Sequence, residues 1–264
     1  MRRHLALVAV VTLAGCGAAP DPNAAVAADL EEVARGANRA FGLTTAFVQA
    51  GVVQVTALPA DIVTAVQQRV QTETNSCAST QVNGASLTAT FDGNGSKGCK
   101  LASVGITVTG TTTLVVTGGM GSAALLTFQL NLNVDGKALS GTITARTTDG
   151  NTYVYQSSQL GWDSGTSASL PALTPGYDAM QATITATGMM TGRSGTNVPI
   201  MLTSVETGFT DCYPDDGNAV ATLPKGAVTV SFTADGARSG VAVIGDPATS
   251  TITTQLPSRL NCPR

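Results

Sequence analysis

Histidine is the scarcest chemical resource in this chain. Its single copy, His4, lies in a short N-terminal segment that reads as an export signal, so the remainder has no imidazole at all. That excludes Ser-His-Asp and Cys-His catalysis and every histidine-ligated metal site. The nucleophile signatures G-x-S-x-G and S-x-x-K are missing as well. Aromatic residues make up 4% of the chain, with one tryptophan, too few for a broad stacking platform. Charged residues make up 12%. Without residues 1–15 they amount to 12 basic and 17 acidic side chains, a net of −5. So sparse and acidic a surface lacks the basic footprint of nucleic-acid binding. Long apolar runs are absent too, since Leu5 to Leu13 falls well short of the roughly 20 residues that a bilayer requires.

What is present starts at the N-terminus. Arg2 and Arg3 precede the apolar segment, and small residues follow it, which is the anatomy of an export signal. Leu13-Ala14-Gly15-Cys16 is similar to the lipobox of bacterial lipoprotein signal peptides. The resemblance implies that residues 1–15 are removed and that Cys16 is acylated, becoming the first mature residue and a membrane anchor. Two or three acyl chains give durable attachment where one does not. Residues 16–25, small and proline-containing, then form a lipidated tether. Gly17 stands where an aspartate is associated with inner-membrane retention. The expected place is therefore the bacterial cell envelope, in the outer membrane where the cell has one. No polybasic segment adjoins the anchor to add attraction to anionic lipid.

Four further cysteines, Cys77, Cys99, Cys212 and Cys262, form an even set that reads as two disulfides in an exported protein. Three pairings are open, and the expected one is the most local, Cys77 with Cys99 and Cys212 with Cys262. A zinc site lacks both Cys-x-x-Cys spacing and histidine. No metal or other cofactor is expected.

Residues 26–74 read as a helical segment that packs on a sheet. Val26, Leu30, Val33 and Ala37 recur at helical spacing, and Gly36 and Gly42 predict a break before Leu43. Ile62, Val66 and Val70 predict a second helix from about Pro59 to Thr72, with proline in its first turn. From residue 75 to the end the period becomes two. Leu126, Phe128, Leu130, Leu132 and Val134 alternate with polar residues, as do Leu87-Ala89-Phe91, Met180-Ala182-Ile184-Ala186 and Val228-Val230-Phe232. Threonine fills most intervening positions, which suits a solvated strand face. Asn83-Gly84, Asp92-Gly93, Asp135-Gly136, Asp149-Gly150 and Asp235-Gly236 mark tight turns. The predicted fold is mainly β, an antiparallel up-and-down meander of about a dozen strands preceded by two short N-terminal helices. The meander closes as a barrel, half-barrel or sandwich. Residues 157–178, rich in Gly, Ser, Thr and Pro, are the expected loop or subdomain break.

Phe91-Asp92-Gly93 before Cys99, Asp211-Cys212-Tyr213-Pro214 and the closing Asn261-Cys262-Pro263 accompany this threonine-rich β pattern. Together, over roughly Cys77 to the end, they resemble a group of uncharacterised bacterial lipoproteins. That resemblance implies no activity.

Several motifs remain. Gly93-Asn94-Gly95-Ser96-Lys97-Gly98 satisfies G-x-G-x-x-G, but a strand rather than a helix is expected after it, which argues against a dinucleotide site. Its alternating oxygens lack the sixth-position glycine and closing carboxylate of a calcium loop. Asp211, Asp215, Asp216 and Asn218 form a dense oxygen cluster, equally what a turn requires. Carboxylate-based hydrolysis is the third functional reading, although Glu31, Glu32 and Glu73 sit in the helical part and spacing selects no pair. Tyr153 and Tyr155 share one strand face just before Trp162, a set able to contact a glycan ring or a protein partner, or to plug the end of a sheet. The leading expectation is a non-enzymatic, lipid-anchored envelope module with a structural or interaction role. Its alternative is a binder or carrier of a hydrophobic ligand.

Overall fold

A computed structural model describes residues 22–48, 51–93, 97–178, 181–208, 214–224, 226–232, 241–246 and 250–255. Two helices, α1 (Pro22–Phe47) and α2 (Pro59–Glu73), come first. The strands are β1 (Ser79–Asn83), β2 (Ser86–Thr90), β3 (Cys99–Lys100), β4 (Thr107–Gly118), β5 (Ala124–Val134), β6 (Lys137–Thr147), β7 (Tyr153–Trp162), β8 (Ser167–Asp178), β9 (Gln181–Thr191), β10 (Asn197–Gly208), β11 (Asp216–Leu223), β12 (Gly226–Ser231), β13 (Val241–Asp246) and β14 (Ser250–Gln255). They make one 14-stranded antiparallel sheet in chain order. The only departure is that β2 and β3 lie end to end along β4. No pairing among the described residues joins β1 to β14, so the sheet is open rather than a closed barrel.

The alternating pattern predicted the sheet's inner face correctly. Leu126, Phe128, Leu130, Leu132 and Val134 are all buried, as are Leu87, Ala89, Phe91, Ile184, Ala186, Val228, Val230 and Phe232. Asp135 (φ 48°) and Gly136 (φ 80°) both take the positive φ of the two-residue turn between β5 and β6. On the outer face polar side chains stand in register. One row across six strands reads Gln81, Thr88, Thr113, Gln129, Thr142 and Ser158.

Three expectations require correction. The first helix is neither short nor interrupted: Gly36 and Gly42 lie inside the 26 residues of α1. Glycine's propensity cost is outweighed by tertiary packing, the usual source of helix stability in proteins. The tether is correspondingly shorter than residues 16–25, because α1 begins at Pro22. Residues 157–178 are neither loop nor break but the second half of β7, a four-residue turn and β8. Their small residues hide the alternation, and register shifts between Tyr155 and Ser157, Ser157 and Leu160, and Ser169 and Ala172 absorb the irregular spacing around Pro171.

α1 is buried around almost its whole circumference. Leu30, Val33, Ala37, Phe41 and Leu43 are each at most 1% exposed. The helix packs against every strand from β6 to β13. Consecutive residues show how: the Asn38 side-chain amide donates to the Val205 carbonyl on β10 at 3.3 Å, while Arg39 meets Asp135 in the β5–β6 turn at 3.6 Å. Strands that far apart in the sheet reach neighbouring positions on one helix only if the sheet curls around it. α2 packs on β1, β2 and β4. Gln67 and Gln71 donate to the Thr80 hydroxyl at 3.0 and 3.1 Å, which seats α2 on the inner face of β1.

The β5–β6, β7–β8 and β9–β10 turns share one end of the sheet, hereafter the first end. The β4–β5 and β6–β7 turns share the second, where the link between the helices crosses. There Met120 and Gly121 donate to the Ala57 and Val55 carbonyls at 3.0 and 2.9 Å. Among the described residues no helix is long and apolar enough to cross a membrane.

Candidate functional site

The three aromatic residues singled out from the sequence all turn inward toward α1. Tyr155 is 2% exposed, stands edge-on to Phe41 with ring centroids 5.7 Å apart, and brings its hydroxyl within 3.3 Å of the Thr45 hydroxyl. Tyr153 lies 6.0 Å from Tyr155 and donates to the Gly150 carbonyl at 3.2 Å. Trp162, the last residue of β7, lays its indole on the backbone of Gly36. A Cβ there would stand 1.7 Å from the indole Nε1. The expected shared face is present, and what it contacts is the helix.

Burial pushes the Tyr153 phenol far above its ordinary range, with Tyr155 and Asp149 adding to the effect; burial also raises Tyr155, against a smaller lowering by Thr45. In the unfolded chain both would ionise near pH 10. Their contribution to stability is therefore complete below that pH and is lost as pH rises above it. We expect an ultraviolet titration to show at least two of the four tyrosines ionising only as near-ultraviolet dichroism collapses. Ordinary ionisation of all four with the dichroism intact would contradict this packing. On the acid side, the Asp149 carboxylate accepts from the Thr152 and Asn151 backbone N–H groups, and these hold its pKa down to about 2. What it contributes is present above about pH 4 and lost as pH falls toward 2.

Charge converges at the first end. Asp29, one face of α1 away from the core, meets the Arg193 Nε at 2.9 Å and accepts from the Arg193 backbone N–H at 3.1 Å and from the Thr166 hydroxyl at 3.3 Å. Glu32, the next carboxylate on that stripe, accepts from Arg193 Nη2 at 3.2 Å and from the Ser164 hydroxyl. Both carboxylates thus engage one guanidinium and clamp α1 to the β7–β8 and β9–β10 turns. Beside them an open hollow of about 400 Å³ is lined by Ala28, Glu32, Arg35, Lys137, Asp163, Ser164 and Arg193. Sequence reasoning missed this cluster. Its members come from one helix and three separate turns, and only the helical spacing of Asp29 and Glu32 offered a hint.

Cys77 and Cys99 form a disulfide, with Cα atoms 5.6 Å apart. It joins the residues after α2 to β3. Buried Glu73 reinforces the joint, pairing with Arg69 and accepting from the Ser103 N–H and hydroxyl at 2.9 and 2.7 Å. Cys16, Cys212 and Cys262 lie outside the described residues, as does Asp211. Asp215 donates its backbone N–H to the Glu206 carbonyl and Asp216 opens β11 opposite Glu206, as a turn leading into a strand requires. The Gly93 and Gly98 backbones approach closely, since a Cβ on Gly93 would stand 2.6 Å from the Gly98 oxygen, and β3 follows at once. No helix N-terminus is there to receive a pyrophosphate. Among the described residues no group of three or more His, Cys, Asp or Glu side chains is placed to hold a metal ion. The chain matches no family model, no curated protein and no solved structure.

Proposed function

We propose that this protein is a non-enzymatic, lipid-anchored module of the bacterial cell envelope, attached through acylated Cys16 and serving a structural or interaction role. The observation that supports an interaction role over carriage of a hydrophobic ligand is the occupied interior. Where a carrier would keep its ligand, between curved sheet and helix, the side chains of Leu30, Val33, Ala37 and Phe41 pack at no more than 1% exposure. Surface remains for partners on the outer face of β1 to β7, which offers hydroxyls and amides in register and two charged side chains among its aligned positions, Lys100 and Arg146. An envelope protein or a glycan fits such a face, whereas nucleic acid does not.

Native mass spectrometry of Cys16→Ser protein tests the reading. The bare polypeptide mass is expected, and a retained lipid or fatty acid would overturn it in favour of a carrier. The same variant is expected to leave the membrane fraction while staying folded, because the anchor precedes α1. Its persistence on salt-washed membranes would overturn the anchor.

A further inference from the structure

We propose that the first end of the sheet faces the phospholipid surface, with Lys137 against headgroup phosphates; this rests on the acylation of Cys16 proposed above. The path of the chain carries the inference. Cys16 and Pro22 are six residues apart, a span of at most about 22 Å when fully extended. From Pro22 the helix rises about 10 Å to Asp29, which is held by the β7–β8 and β9–β10 turns. Beyond Asp29 it runs toward the second end, where Thr45 meets Tyr155 and the following link meets the β4–β5 turn. Extended backwards, α1 points out of the first end. The longer strands span about 35 Å, so a short leash from Pro22 brings the bilayer to the first end and leaves the second far from it.

The charges agree. No polybasic run adjoins Cys16 in the sequence, yet folding gathers Arg35, Lys137 and Arg193 around one open hollow. Glu32 engages Ser164 and Arg193, Arg193 also holds Asp29, and Asp163 accepts from the Ala138 N–H at 2.8 Å, so exposed Lys137 at the start of β6 is the hollow's cation outside these pairs. At the second end, the described β4–β5 and β6–β7 turns carry one carboxylate, Asp149, and exposed Arg146 stands beside them near the end of β6.

Trp162 is a native reporter for the test, being the only tryptophan and the last residue of β7 at the first end. Lipidated full-length protein is reconstituted in phosphatidylethanolamine–phosphatidylglycerol vesicles containing a dansyl-headgroup lipid, and energy transfer is read on vesicles recovered by flotation. Adding Asn151→Trp to the intact chain marks the other end of the same strand, in an exposed turn. We expect Trp162 emission to fall by about half or more and the added emission to survive, because eleven residues of extended chain put positions 151 and 162 about 35 Å apart. Lys137→Glu should lower Trp162 transfer on these vesicles and leave it unchanged on purely zwitterionic ones. Equal transfer at both reporters, or stronger transfer from residue 151, overturns the orientation. Indifference to Lys137→Glu overturns the phosphate contact. Protein that does not float overturns the anchor itself, a failure separate from the other two.

Discussion

Gly36→Ala is expected to destabilise the fold by about 2–3 kcal/mol, the range of overpacking in a well-filled core. The sign makes the test sharp. In the middle of a helix alanine is favoured over glycine by about 1 kcal/mol, so a glycine that only interrupted α1 would be improved by the change. Here the new methyl would stand 1.7, 2.1 and 2.6 Å from the Nε1, Cε2 and Cζ2 atoms of Trp162. The ring has little room to retreat. Trp162 pairs with Leu139 across the β6–β7 ladder, and its backbone N–H and carbonyl both bond within the turn that follows, to Thr166 and Gly165 at 3.1 Å. Denaturant unfolding of Gly36→Ala, of Trp162→Leu and of the double variant would measure the coupling. We expect the double variant to lose at least about 1 kcal/mol less than the two single losses combined, as residues in contact do. A neutral or stabilising Gly36→Ala would mean that indole and helix are not in contact.

That one contact also shows where sequence reading stops. The alternation in Leu126 to Val134 and the every-fourth-residue stripe in α2 were legible because each element faces one dry layer and one wet layer, which leaves a period in the chain. In α1 the period was legible from Val26 to Ala37, but small residues are buried around most of the helix beyond it, so its glycines looked like stops. The same loss of contrast concealed β7 and β8, whose small and polar residues sit at register shifts where the strict alternation slips. Enclosure of the helix is a long-range fact, visible only when Asn38 and Arg39 are found on strands well separated in sequence. The clasp of Arg193 on Asp29 and Glu32 was hidden for the same reason. Tyr153 and Tyr155, by contrast, were legible as sharing one face from their spacing alone, and their rings do stand 6.0 Å apart, whereas the seat of Trp162 on Gly36 needed the fold.

Removing the Cys77–Cys99 bond, by Cys77→Ala together with Cys99→Ala, should cost about 3 kcal/mol. Closing a loop of 22 residues restricts the unfolded chain by about that amount on the chain-entropy view. The loss should appear first at one joint. The loop contains β1 and β2, and its two ends are the residues leaving α2 and the short strand β3. Next to the bond, the Leu101 N–H donates to the Ile106 carbonyl within its own loop, while the Ala102 N–H donates to the Glu73 carbonyl and the Ser103 N–H to the Glu73 side chain, so two amides of this loop depend on α2 staying where the disulfide holds it. Amide hydrogen exchange in the double variant should therefore accelerate at residues 102 and 103 by more than at the β5–β6 ladder, where every described pairing is independent of the joint. A uniform acceleration, or a loss of stability below about 1 kcal/mol, would show that Glu73 and Arg69 hold the joint without help. If the joint opens as expected, Gln67 and Gln71 lose their seat on Thr80 and the inner face of β1, β2 and β4 is uncovered. An apolar sheet face opened to water is a surface for association with another chain. The reduced protein should then associate in a concentration-dependent way that the oxidised protein does not, and sedimentation of both forms at matched concentration would read that difference directly.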